Sequence, residues 1–199
     1  MVVLCKMKRI CMADKSNVLI DTEKRIFYLS DNIEVSTISQ LNFQLIKMLE
    51  EDDKQEKEKK EYKRKPIHLI INSFGGNVYD MWSLIDILLN SKTPIHTYCT
   101  GYAMSAGFII FLAGEKRSAT SHATFLYHQT SDWLGRKKFQ DLIEYQEEAE
   151  FAQLEMEKYI IERTNITKEK LEEIRLHKKN WYIHLNEALE LNIVNNLIK

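Results

Sequence analysis

The sequence predicts an α/β domain in which helices pack on a largely parallel sheet. Ile67–Ile71 is a near-continuous apolar run of the kind that forms a strand buried on both faces. Val78–Leu89 follows at helical spacing, with Trp82, Ile85, Leu88 and Leu89 sharing a face. Ile95–Cys99 then gives a second strand after Pro94. Strand, helix and strand in that rhythm make a βαβ unit. At 199 residues, with no internal repeat and no flexible linker, the chain reads as a single domain spanning 1–199.

The other elements follow in chain order. Val18–Asp21 and Arg25–Leu29 are short strands rich in Val, Ile, Phe and Tyr. In Val35–Leu49 the residues Ile38, Leu41, Leu45, Ile46 and Leu49 recur as on an amphipathic helix. Residues 50–65 are almost wholly charged with both signs mixed, a helix extension or a loop inserted before Pro66. Met104–Ala113 is too long for a buried strand and suits a buried helix, and Thr124–Tyr127 is another short strand. A long helix is expected over Gly135–Glu162. Its Leu142, Tyr145, Ala149, Ala152, Met156 and Tyr159 form a stripe that packs on a neighbouring element or subunit. Thr167 is placed to cap a last helical segment near Leu171–Ile174.

A formal net charge of −1 gives no electrostatic reason to expect nucleic acid or an anionic membrane as partner. Met1–Met12 lacks an apolar core of signal-peptide length. The longest apolar run, Ala106–Ala113, is far short of the ~20 residues that span a bilayer. Cys5, Cys11 and Cys99 match no metal or redox spacing, so reduced thiols in a cytoplasmic protein, and no metal site, are expected.

Three local features concentrate chemistry. Asn72-Ser73-Phe74-Gly75-Gly76 follows the buried strand, where paired glycines allow a tight turn and expose N–H groups. Gly101-Tyr102-Ala103-Met104-Ser105-Ala106-Gly107 sets a serine among small residues at a strand-to-helix junction. The hydroxyl there serves either as an accessible nucleophile or as a plain helix cap. Tyr127-His128-Gln129 puts a histidine at a strand end; His68, His96, His122, His177 and His184 lack such settings.

The segments INSFGGNV, GYAMSAGF, LAGEKR, FLYHQT and NEALELNIVN, in that order over roughly Arg25 to Asn195, closely resemble the Clp protease proteolytic subunit family. The spacing from Gly76 to Ser105 fits that family without insertion, and from Ser105 to His128 with a small deletion near Lys116. The resemblance implies a crotonase-like domain of repeated ββα turns, with Gly135–Glu162 as its long projecting handle helix. It implies Ser105 as nucleophile, His128 as general base, and the N–H groups of Gly76 and Ala106 as the oxyanion hole. A serine hydroxyl needs such a base, and each oxyanion donor contributes ~3 kcal/mol. The family's triad Asp falls on Asn180 here, whose amide oxygen can still accept from an imidazole N–H; Asp→Asn in a trypsin-like triad costs about 10⁴ in turnover. Phe74 and Thr130 replace prolines of the family pattern.

The resemblance further implies two heptameric rings in a tetradecamer, an AAA+ unfoldase that alone uses ATP, unfolded polypeptides as substrate, and no cofactor in this subunit. Ser131–Lys137 would lie near the substrate groove with Gly135 as a hinge. The alternative, prompted by Asn180, is a weakly active or non-catalytic ring subunit supporting an active paralogue. A crotonase-type acyl-CoA enzyme is a third reading.

Overall fold

The computed structural model describes residues 18–131 and 138–197. Strands β1 (Val18–Asp21) and β2 (Ile26–Leu29) form an antiparallel pair that leads into helix α1 (Val35–Glu58). Then come β3 (Ile67–Ser73), α2 (Val78–Leu89), β4 (Ile95–Met104) and the short α3 (Ala106–Phe111). The chain continues through β5 (Lys116–Ala119), β6 (Thr124–Tyr127), α4 (Phe139–Arg163), α5 (Lys168–Leu176), β7 (Trp181–His184), α6 (Leu185–Glu190) and β8 (Asn196–Leu197). The parallel steps β2–β3, β3–β4 and β4–β5 each cross over through a helix or a helical turn, the recurring strand–helix unit expected of the fold.

β4 decides the architecture. Its first half pairs with β5, from His96 opposite Lys116 to Cys99 opposite Ala119. Its second half pairs with β6, from Tyr102 opposite Thr124 to Met104 opposite Leu126. The sheet therefore forks: one branch continues through β5 to β8, the other through β6 to β7. The sequence reading ends this strand at Cys99, yet it runs on to Met104. Gly101 is the switch point. A Cβ there would sit 2.5 Å from the Asn72 side-chain oxygen, so glycine lets β4 pass the end of β3.

The core is packed on one face of the sheet. Ile67, Leu69, Ile71 and Ser73 of β3 are buried, whereas His68, Ile70 and Asn72 between them are half-buried. That strand alternates instead of being buried on both faces, which leaves an aromatic and polar face of the sheet partly open. Against the closed face α2 buries Met81, Leu84, Ile85 and Leu88, an i, i+3, i+4, i+7 stripe. Leu89 lies off this stripe and is exposed. In α1 the buried stripe Ile38, Leu41, Leu45, Met48 ends on a charged residue, Asp52. The mixed-charge segment thus extends the helix to Glu58 before returning to β3.

The long helix begins at Phe139; the expected start and the Gly135 hinge lie outside the described residues, as do Met1–Met12. Its stripe divides. Met156 and Tyr159 are buried in this domain, while Tyr145, Ala149 and Ala152 are half-buried along a cleft and Leu142 is exposed. No described helix is long and apolar enough to cross a membrane.

Candidate active site

Three strand ends converge where the sheet forks. Ser105 stands one residue past the β4–β6 ladder, with its N–H donating to the Leu126 carbonyl at 2.9 Å. It is the hinge between β4 and α3, with φ 52° and ψ −125°, a left-handed conformation rare for a residue with a side chain. A sharp strand-to-helix turn of this kind lifts a side chain out of the sheet edge. The β6–β7 ladder closes with Tyr127 opposite Trp181. His128 directly follows, and Asn180 directly precedes, this last pair of the ladder.

The loop after β3 packs directly on the serine. A Cβ on Gly75 would meet Ser105 Cβ and the Met104 carbonyl at 2.8 Å each, and the Ala106 nitrogen at 3.0 Å. Gly75 has φ 103°, so both space and backbone demand glycine. Gly76, at φ 150°, lies against Ile33, whose N–H and carbonyl bond to Gly75 O and Asn77 N. Those bonds bypass Gly76, so its N–H has no backbone acceptor among the described residues. Ala106 is the first residue of α3, and its N–H likewise has no acceptor within the helix. The Ala106 N–H adjoins Ser105 in sequence, and the Gly76 N–H belongs to the loop whose Gly75 packs on the serine.

Residues without an assigned chemical role build this loop. Ser73 Oγ donates to Asp31 O at 2.6 Å and accepts from Gly75 N–H at 3.1 Å. Asn72 Oδ1 accepts from Tyr102 N–H at 3.1 Å, tying the β3 end to the strand that carries Ser105. Phe74 stacks on Tyr102 with ring centroids 4.3 Å apart. The sequence pointed at this segment through its glycines; the polar pair just before them was the available sign of a braced turn.

His128 is half-buried, and its Nδ1 lies 2.5 Å from the Gln129 carbonyl oxygen. A carbonyl can only accept, so Nδ1 carries a proton here; in the neutral imidazole this leaves the lone pair on Nε2, the form that takes a proton from a hydroxyl. Asn180 is exposed, and among the described residues its amide makes no bond to His128. Ser105 Oγ makes no capping bond either, in keeping with catalytic hydrogen bonds that tighten only when substrate binds. The segment after His128 is held by a buried group that sequence reading missed. Gln153 Oε1 accepts from Thr130 N–H at 2.9 Å, and Gln153 Nε2 donates to Tyr127 Oη at 2.8 Å and Glu157 Oε1 at 3.0 Å. Arg175 Nε completes the group on Glu157 at 3.0 Å. Burial and the adjacent Glu157 carboxylate push the Tyr127 hydroxyl well above its ordinary pKa, keeping it neutral. Nothing in the local sequence distinguishes Gln153 from the charged residues around it on α4.

No group of three or more His, Cys, Asp or Glu side chains among the described residues is arranged to hold a metal ion. A proton acceptor, a hydroxyl on a strained turn and two free N–H donors at one edge are the components of acyl transfer.

Comparison with known proteins agrees with this chemistry. The family described as Clp protease matches residues 11–199. The chain is similar to the ATP-dependent Clp protease proteolytic subunit 1 of Prochlorococcus marinus (strain NATL2A), 31% identical over 178 residues, which covers 87% of this chain and 83% of that protein. It is 27% identical to the ATP-dependent Clp protease proteolytic subunit 2 of Synechococcus sp. (strain CC9605), over 88% of this chain and 83% of that one. Subunit 1 of Shouchella clausii (strain KSM-K16) is 26% identical, over 87% and 84% of the two chains.

Proposed function

The chain belongs to the Clp protease family, and from that premise we propose a serine endopeptidase subunit that works through an acyl-enzyme on Ser105. The observation that carries this is Ser105 on its positive-φ turn, pressed against Gly75-Gly76 at the strand edge shared with His128. In the proposed cycle His128 Nε2 takes the Ser105 proton as Oγ attacks a peptide carbonyl. The Gly76 and Ala106 N–H groups stabilise the oxyanion. The protonated imidazole then passes its proton to the leaving amine, and water, activated by the same nitrogen, frees the acyl group. Asn180 is assigned the third position, with the Gln129 carbonyl orienting the imidazole when the amide does not.

Relatives of this chain are named as ATP-dependent. We extend that to this subunit through a partner AAA+ unfoldase that consumes the ATP and delivers unfolded polypeptide, in the cytoplasm, to a chamber of two heptameric rings. A fluorophosphonate probe on the assembled protein tests the chemistry. The expected adduct maps to Ser105 and vanishes in Ser105→Ala; no adduct refutes the assignment. The supporting-subunit reading rests on Asn180, and Asn180→Asp separates the two. A rise of ~10-fold or more from measurable peptide turnover is expected for a working serine peptidase lacking its carboxylate. A rise from no turnover at all marks a supporting subunit.

A further inference from the structure

A cleft of about 450 Å³ opens at Gly76, between the start of α2 and the inner face of α4. That volume lies within the ~300–1,000 Å³ typical of side-chain and ligand pockets. Its walls are unlike one another. Val78, Ala149 and Ala152 supply apolar surface, and the alanines on α4 are small. Tyr79 and Glu148 also line it, with the Tyr79 hydroxyl donating to Glu148 Oε1 at 3.0 Å. Glu148 is the only acidic or basic side chain among the described lining residues. Its second oxygen, Oε2, has no partner among them.

The neighbouring helix end does not cancel this charge. The Asn77 side chain accepts from the N–H groups of Tyr79 and Asp80, and Asp80 adds a carboxylate to the first turn. Because the cleft begins at Gly76, a substrate whose carbonyl oxygen rests on the Gly76 N–H turns its acyl-side residue toward it. A side chain that fits needs an aliphatic stem for the Val78 and alanine surface and a cationic head for Glu148. The Tyr79 ring adds an aromatic surface that favours the same head.

We infer that Glu148 makes this subunit prefer lysine or arginine on the acyl side of the cleaved bond. The inference rests on the peptidase reading above and names the substrate class of that site. Glu148 is a specificity residue and takes no part in proton transfer.

The test uses the assembled protein and two peptidyl-coumarin substrates that differ only in lysine or norleucine before the coumarin. These side chains share a stem and differ in the ammonium group. The lysine substrate is expected to show a kcat/KM at least ~10-fold higher, most of it in KM. Glu148→Gln is expected to erase that ratio by lowering kcat/KM for the lysine substrate, and Glu148→Lys to reverse it in favour of a glutamate substrate. Equal turnover of the pair, or a lysine preference that survives Glu148→Gln, overturns the inference while the peptidase reading stands. A binding arm keeps the two separate: fluorescence anisotropy of the corresponding lysine and norleucine peptides on Ser105→Ala. Selective lysine binding without turnover in the parent protein supports the cleft assignment and sinks the peptidase reading instead.

Discussion

Ser105 holds φ 52° and ψ −125°, a conformation that costs a residue bearing a Cβ ~1–3 kcal/mol. The strain is sustained by what surrounds it: the N–H bond to Leu126, the short helix that begins at once with Ala106, and Gly75 packed against the serine Cβ. Two replacements that both delete the hydroxyl then differ in stability. Ser105→Ala keeps the Cβ and the strain, whereas Ser105→Gly relieves it against a smaller loss, ~0.5–1 kcal/mol, from the freer unfolded chain. Urea unfolding is expected to rank Ser105→Gly above Ser105→Ala by about 1 kcal/mol; the opposite order would show that the turn is unstrained. Much of this was legible beforehand, since Ser105, Gly76, Ala106 and His128 sit in motifs whose order and spacing carry them. The partner of His128 was not. Asn180 could be reached by counting back from Glu187, and it directly precedes the last paired residue of the ladder, Trp181. That the Nδ1 proton goes to the backbone of Gln129 leaves no trace in residue types, because every residue has a carbonyl.

At the scale of elements, the charged stretch after Leu49 was the least readable part of the chain, and it is built around a buried carboxylate. Asp52 continues the apolar stripe of α1 with its side chain 1% exposed. Arg25 donates to both of its oxygens, at 3.0 and 2.7 Å, and the hydroxyls of Tyr62 and Thr93 at 2.6 Å each. One acceptor thereby fastens the β1–β2 turn, the return from α1 and the lead into β4. The helical spacing puts Asp52 on the buried stripe, but its charge ranks it as solvent-facing; only its four donors, scattered along the chain, make its burial tolerable. Asp52→Ala strands Arg25, whose Nε is already buried without a partner, and is expected to cost ~3–5 kcal/mol in urea unfolding. Trypsin is expected to cut faster within Lys59–Arg64, which Tyr62 no longer anchors. The pH dependence has a definite sign. Burial raises the Asp52 pKa, but the bonds from Arg25, Thr93 and Tyr62 outweigh it and hold the carboxyl below its ordinary value. Its contribution is complete above the unfolded value of ~3.9 and is lost as pH falls through the lower folded one. The stability gap between parent and Asp52→Ala should therefore narrow below about pH 4; a gap that is flat with pH would remove Asp52 from that role.

On the scale of the whole molecule, α4 presents two faces with different tasks. The face bearing Tyr145, Ala149 and Ala152 lines the cleft at Gly76, and further along Met156 and Tyr159 bury themselves in the domain. The outward face carries Phe139, Ile143, Phe151 and Leu154, with Phe139 80% and Phe151 62% exposed. The helical period allowed one apolar seam to be expected on this helix but not its division, because both faces are apolar at related spacings and only the packed domain decides which turns inward. Exposed apolar rows of this kind mark candidate contact surfaces. A second copy of α4 is the partner proposed for it, joining ring to ring so that the cleft-lining face becomes the wall of a chamber. On that proposal assembly and catalysis would be coupled through one helix, the inner face lining the cleft and the outer face holding the helix in place. Phe151→Glu puts a charge on the outer row and leaves the inner face and the Gln153–Glu157–Arg175 group untouched. Sedimentation velocity is expected to show the full assembly replaced by particles of half its mass or less. Peptide turnover should fall at least ~10-fold with circular dichroism unchanged, and recover in part at high protein concentration as mass action restores the contact. An unaltered sedimentation coefficient would place the ring-to-ring contact elsewhere on the molecule.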